Sequence, residues 1–595
     1  MDRSTVIGLV LITLIMMVWL YYLTPPPPPP RPSRVDQDTV ATQEPARTGS
    51  PAEVPMEADS LDLFGAALRG QERRLVVETE LYTAELSNRG ATIRQLTLKR
   101  YRSWDGRPVR LIADSARGAL ELGWLTKTNR NVETRRLIFS LLEPNGSDTL
   151  RLRASDTLRL PFVLALDSLR RLQLEYTFTG ASYEIGLRLK AEGLQEVIAG
   201  RQLDVIWDSG LPFAEKDRKT EALEMGAFAY SGRVLEAVRL DKEPTERKTL
   251  SGKVDWVAVR NHYFTAILMP TEPTEGAELV GLRRGSGPED SAYVEHYRAR
   301  LIVPFDPEAS SWEKHFRLYL GPMEYYRLAA YKKDLYRMVN LGPGWLDWIV
   351  RPLTQYVFIP VFTFLGRFIP NYGLVIVLFS LLVKLVLHPL TARSYESMAK
   401  MRALQPELEA IRAKYPDNPQ KQQEAMLKLY RELRINPLGG CLPMLLQLPI
   451  LIALWRFFPS VIEIRQKGFL WCKDLSAPDS ILDLPFTIPL YGDHVSGFTL
   501  LMALTMILQT RMSSPGSSQA QMAFLNYLFP ILLFLFFNNV AAGLSLYYLV
   551  FNLLTILQLK FFVRTEIDHA TLMAELQGKK SRQARAPKPK RPIRR

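Results

Sequence analysis

The hydrophobic rhythm of the chain changes twice. Residues 6–23 form an apolar and aromatic run interrupted only by Thr13, long enough to cross a hydrocarbon core of about 30 Å. The run ends in Trp19, Tyr21 and Tyr22, and six prolines follow, Pro25 to Pro30. This predicts an uncleaved anchor with an aromatic belt at residues 1–23. Residues 24–60 are rich in Pro, Thr, Ser, Glu and Asp and read as an extended, disordered tether. From about residue 75 to 320 the period becomes two, as in Leu75-Val77-Thr79-Leu81-Thr83, Leu172-Leu174-Tyr176-Phe178 and Tyr183-Ile185-Leu187-Leu189. Short alternating strands broken by Gly, Asn, Asp and Pro predict an all-β sandwich over residues 61–340.

Long apolar runs then take over. Residues 345–370 are awkward, because Arg351 and Arg367 bracket only fifteen uncharged residues and Pro352 and Pro360 lie among them. With Trp345 and Trp348 alongside, the stretch predicts an amphipathic helix lying in the membrane interface. Five runs follow within residues 371–563, at about 373–390, 442–459, 492–511, 522–540 and 544–562. With the anchor they make six predicted transmembrane helices. The fold class expected is a multi-domain membrane protein, an all-β domain outside joined to an α-helical membrane core.

Charge sets the orientation. Between the second and third spans, residues 392–434 carry nine Lys/Arg against six acids, whereas residues 460–493 carry three basic and five acidic residues. The positive-inside rule therefore puts the first loop, both termini and the 564–595 tail in the cytoplasm and the β domain on the opposite side. The net charge of +14 across 595 residues owes nine to residues 579–595, which contain no acid. A charged tail on a nearly neutral body excludes a general nucleic-acid binder, and no DNA partner is expected. The two cysteines exclude a disulfide scaffold or a Cys-based metal centre. Cys441 is expected inside and Cys472 outside, so an impermeant maleimide should reach Cys472 alone.

The candidate chemistry lies in the polar residues within the spans. Ser380, Lys384 and His388 are four residues apart and form one stripe. Thr505 and Gln509 repeat it in the fourth span, Asn552, Thr555 and Gln558 in the sixth, and Gln447 and Asn526 lie early in the third and fifth. All gather on the cytoplasmic side of the midplane, while the outer halves are mostly plain, as at 374–379 and 531–537. A mid-helix Lys costs about 2.5–3.5 kcal/mol on insertion scales. Lys384 either snorkels toward the headgroups or lines a water-filled groove. A hydroxyl, an ammonium and an imidazole in one row favour the groove, whereas Arg456, three residues from Pro459, reads as a snorkelling residue.

In the cytoplasmic loop, Met398, Met401, Leu404, Leu408 and Ile411, then Met426, Leu429 and Leu433, recur at helical spacing. They predict a helical hairpin at 392–436, with Pro406 kinking its first arm. Its apolar stripes either pack only on each other or offer a soft docking surface, with Met398, Met401, Leu404, Met426 and Leu429 as the contact set. The basic tail suits anionic lipid or ribosomal RNA. His262 and His296 have no recognisable partners in sequence. No phosphate-binding loop, nucleophile elbow or zinc-protease motif is present, so no enzymatic activity, cofactor or metal is expected.

Several stretches resemble the YidC-type membrane protein insertases of the YidC/Oxa/Alb family: Asn371-Tyr372-Gly373, Pro389-Leu390-Thr391, Ser397-Met398-Ala399-Lys400-Met401, Gln405-Pro406, NPLGGCLPMLLQLPI at 436–450 and GLSLYYLVFN at 543–552, with Trp256 and Tyr263-Phe264 in the β region. The resemblance covers nearly the whole chain. It implies a periplasmic β-supersandwich, five core spans after the first, and a groove whose cationic residue receives the polar part of a substrate. Lys384 falls at that position, where many relatives have Arg; Ser380, Tyr547 and Tyr548 match positions associated with substrate contact. It further implies an inner-membrane insertase and chaperone for nascent membrane proteins, acting alone or with Sec translocon subunits. A small-solute transporter and an envelope scaffold built on the β domain are the other classes the residues leave open.

Overall fold

The computed structural model describes residues 63–561, apart from short stretches at 113–117, 142–147, 241–242, 286–293, 343–345, 417, 434, 436–441, 490 and 514–519. The predicted anchor, tether and basic tail, and Cys441, lie outside the described residues, and the side chain of Asn526 is likewise not described. Among the described residues the strands form sheets of five, nine and six strands and one separate two-stranded hairpin.

The period-two signal is realised directly. Arg171–Thr179 and Glu184–Glu192 pair antiparallel, with Leu174 opposite Leu189 and Tyr176 opposite Leu187, and every second side chain is buried. Ser311–Pro322 pairs on the other edge of Glu184–Glu192. Each large apolar side chain so buried is worth about 1.5–3 kcal/mol. The alternation at 75–83 differs from the single strand it predicts. Arg74–Glu78 ends early, the Thr79 hydroxyl accepts the Leu81 and Tyr82 amides at 3.2 and 3.0 Å, and the chain doubles back as Tyr82–Ser87. A threonine in phase with a strand can equally close a turn through its own hydroxyl.

We number the helices of the membrane half α1 (Asp347–Phe368), α2 (Tyr372–Ala403), α3 (Gln405–Lys414), α4 (Pro419–Leu433), α5 (Leu442–Ser460), α6 (Gly497–Ser513), α7 (Ala520–Phe537) and α8 (Ala542–Phe561). α1 is continuous over 22 residues, with one widened turn at Thr354–Phe358 just after Pro352. It is thus longer than its uncharged stretch, and by length and composition it, α2 up to Ala392, and α8 are each apolar enough to cross a membrane. α2 runs through Pro389 without a break, and its 32 residues extend as far as Ala403 in the hairpin. Pro406 does not kink an arm. It sits in the first turn of α3, where its missing amide costs nothing, and the break falls at Leu404. The fourth span is shorter than its apolar run, because Gly492–Val495 pairs as a strand with Leu482–Ile488. That hairpin leaves Ile481, Leu482 and Phe486 exposed.

The two halves are joined by buried polar contacts. Tyr263 donates from its hydroxyl to the Pro459 carbonyl at 2.5 Å, and Arg465 donates to Glu215 at 2.7 Å and to the Arg102 carbonyl at 2.7 Å. Trp256 is fully buried and donates its indole N–H to the Lys333 carbonyl at 2.8 Å. Arg260, also buried, pairs with Glu224 and donates to the Met338 carbonyl. Burial alone would raise Glu224, but Arg260, His262, Arg239 and the Asn340 amide together outweigh it and hold the carboxyl down at about 2. His262 stacks on Tyr263 at 4.2 Å between ring centres, and burial pushes its imidazole down to about 4. His296 does have a partner, Asp208, at 2.8 Å. Both histidines are thus structural.

Candidate functional site

α8 is the central post of the helical half. Its buried face carries Tyr547, Phe551, Asn552, Thr555 and Gln558 at three- and four-residue spacing, so these side chains form a column. α2 packs along it. Lys384 is 5% exposed and its Nζ donates to the Thr555 hydroxyl at 2.6 Å, while Thr555 passes its own proton to the Phe551 carbonyl at 2.8 Å. The ammonium lies 4.6 Å from the centre of the Phe551 ring and 5.7 Å from that of Tyr395, both within cation–π range. Among the described residues no carboxylate lies within ion-pair distance of it. One turn on, His388 Nδ1 and the Gln558 amide are 2.9 Å apart.

The remaining predicted residues gather around the same column. Asn552 reaches the Met502 carbonyl and the Thr505 hydroxyl, both at 3.4 Å, and Thr505 donates to the Met502 carbonyl at 2.8 Å. The Gln447 amide is 3.4 Å from the Tyr547 hydroxyl. Tyr548 meets the Tyr547 ring edge-on at 5.2 Å. Gln509 is half-buried one turn beyond Thr505. Ser380 is fully buried, but its hydroxyl is committed to the Ile376 carbonyl at 2.8 Å. A chain of rings, Phe379 to Tyr547 to Phe551, runs from Ser380's turn to the ammonium. In this structure Lys384 is therefore covered by rings instead of lying in an open channel.

The expectations for Leu404 and Cys472 need correction. Leu404 is fully buried in the hairpin's own core with Leu433 and Ile435, so it cannot belong to a docking surface. Met401 and Leu429 pack against that core and are half-buried, as are Met398 and Met426. The stretches 374–379 and 531–537 are apolar, but the starts of α6 and α8 carry polar residues. Thr499 and Ser545 share a hydrogen bond at 2.9 Å, and Ser496 donates to Asp479 at 2.5 Å. Asp479 also accepts the Phe498 amide at 3.0 Å and the Trp471 indole at 2.9 Å, capping the start of α6. Cys472 is buried, its thiol pointing at the Asp474 carbonyl, and burial pushes it up to about 12. An impermeant maleimide should thus spare it. Arg456 lies over the Trp455 ring at 4.7 Å, with Glu224 of the β domain and Asp347 at the start of α1 as its electrostatic neighbours, so its head is directed toward the Pro459 end of α5.

A large β domain standing on a bundle of apolar helices with buried polar side chains defines a multi-pass membrane protein with an extramembrane sandwich. Residues 74–356 match the family described as YidC periplasmic domain, and residues 364–569 match the 60Kd inner membrane protein family. A membrane protein insertase YidC of Chlorobium luteolum is 41% identical over 586 residues, covering 96% of this chain and 97% of the relative. One from Chlorobaculum tepidum is 38% identical over 583 residues, covering 97% of each. A crystal structure of an active YidC insertase with its first transmembrane domain resolved aligns over 83% of this chain and 93% of that one, at 20% identity and a TM-score of 0.34. The chain belongs to the YidC family of membrane protein insertases, which are inner-membrane proteins with a periplasmic domain.

Proposed function

We propose that the chain inserts newly made inner-membrane proteins by lending Lys384 to the polar segment that must cross. The observation that carries this reading is a buried ammonium satisfied by a hydroxyl and two aromatic faces, with no carboxylate beside it among the described residues. Such a cation is costly to bury and is ready to pair with an acidic substrate segment. Tyr395 and Phe551 cover it at rest, and their displacement opens a hydrophilic groove toward the cytoplasm lined by His388, Gln558, Thr505 and Asn552. The client docks first on the hairpin through Met398, Met401, Met426 and Leu429. Its polar segment then occupies the groove, and its apolar helix leaves past the exposed leucines of α2 and α6. Partition into lipid drives the step at about 0.8 kcal/mol per buried CH₂.

In this reading both termini are cytoplasmic, α1 lies in the outer interface, and the protein works alone or beside the Sec translocon. The basic tail touches anionic lipid or the ribosome. The test is insertion of a client with an acidic extracellular tail by Lys384→Ala and Lys384→Arg proteins. Ala should lose about tenfold, the equivalent of 1.4 kcal/mol, and Arg should keep most of the activity. Wild-type insertion by the Ala protein ends the charge role.

A further inference from the structure

A cavity of ≈310 Å³ lies where α1, the start of α2, the outer end of α5 and the segment after the strand Ser311–Pro322 meet. Ile359, Phe362, Phe457 and Ile464 give it apolar walls, and Glu463 and Arg367 also line it. Its other charged residues are engaged with each other, since Glu324 accepts from Arg327 at 2.9 Å and from the Tyr101 hydroxyl at 2.8 Å. Glu463 and Arg367 are different. Among the described residues neither has an ion-pair partner. Burial, with Glu324 nearby, pushes the Glu463 carboxyl up to about 7, and no cation offsets it. Arg367 is exposed, one turn after Phe364 and next to Phe368, which are both exposed apolar residues. Those rings put the mouth of the cavity at the level of lipid.

We propose that this cavity is a headgroup site for an aminophospholipid of the phosphatidylethanolamine class. Two uncommitted charges of opposite sign, with apolar walls beside them, complement a molecule that carries a phosphate and a primary ammonium on a two-carbon tether and then hydrocarbon. The ammonium donates to Glu463 and the phosphate accepts from Arg367, so each charge in the site gains a partner. The volume suits a small ligand. A phosphatidylglycerol headgroup would answer Arg367 and leave Glu463 unpaired. A quaternary ammonium is bulkier and has no proton to donate. The inference rests on α1 lying at the outer membrane boundary, and it is independent of the role given to Lys384.

The test uses the full chain in nanodiscs of equal phosphatidylethanolamine, phosphatidylcholine and phosphatidylglycerol, with retained lipid counted by native mass spectrometry after transfer to detergent. Wild-type protein should retain phosphatidylethanolamine preferentially. Glu463→Gln should cut that retention about tenfold while phosphatidylglycerol retention stays as it was, and Arg367→Gln should lower both. Retention by the unaltered chain should also fall stepwise as the ammonium is methylated once, twice and three times, which needs no mutation. Equal retention across the methylation series, or unchanged retention by Glu463→Gln, overturns the proposal. Lys384→Ala should retain lipid like wild type, so the lipid site and the insertion groove fail separately.

Discussion

The β domain and the helical half solve the same burial problem with opposite signs. In the β domain the apolar side chains of Arg171–Thr179 and Glu184–Glu192 point inward, and buried charge such as Arg260 is answered by a carboxylate. In the helical half Leu385, Val386, Leu504 and Ile531 face outward, while Ser380, Lys384, Asn552, Thr555 and Gln558 are buried. Water outside one half and hydrocarbon outside the other account for the reversal. The more instructive difference is in how each half treats its cation. Arg260 is neutralised by Glu224 and serves stability. Lys384 is held by a hydroxyl and ring faces and so stays available to a partner.

One substitution applied to both cations breaks or upholds this contrast. Arg260→Met leaves Glu224 buried without its cation, and should cost about 3–5 kcal/mol in denaturant unfolding of the β signal. Lys384→Met should leave stability unchanged or higher, because it removes a buried charge that has no ion-pair partner, yet insertion of acidic clients should collapse. Equal losses of stability in the two variants would erase the distinction. Thr555→Val removes only the ammonium's oxygen partner, and should cost about 1–3 kcal/mol of stability with a milder insertion defect than Lys384→Met.

A finer contrast comes from pH. Burial, reinforced by Glu215, pushes Glu221 up to about 8, even though it accepts the Ala214 and Glu215 amides. Its contribution is therefore fully present below the ordinary carboxylate range and is lost as pH rises through about 8. Melting of Glu221→Gln should vary less between pH 5 and 9 than melting of wild type; identical profiles would show that Glu221 is not the group titrating. The smallest expected signal is at Cys472, which should resist maleimide in the folded protein and react in denaturant.

Sequence pattern revealed the architecture wherever burial is a local matter. Alternation located the strands because each residue's face follows from its neighbour's, and the column on α8 was visible as Asn552, Thr555 and Gln558. What pattern missed depends on contacts across the fold. Leu404 sits in the same stripe as Met401, but the helix break puts it inside the hairpin. Tyr395 looks like an ordinary hairpin residue until α2 continues past Pro389 and brings its ring over Lys384. The Asp479 cap on α6 is 18 residues from the helix it serves, which no local window reaches.

A 32-residue helix such as α2 is about 48 Å long, so the docking arm and the ammonium ride on one shaft. Pro389 supplies no amide to the ladder one turn past Lys384, which makes it the weakest joint on that shaft. A client leaning on Met398 or Met401 therefore exerts torque, and a bend at Pro389 swings Tyr395, which lies on the hairpin side of that joint, away from the charge it guards.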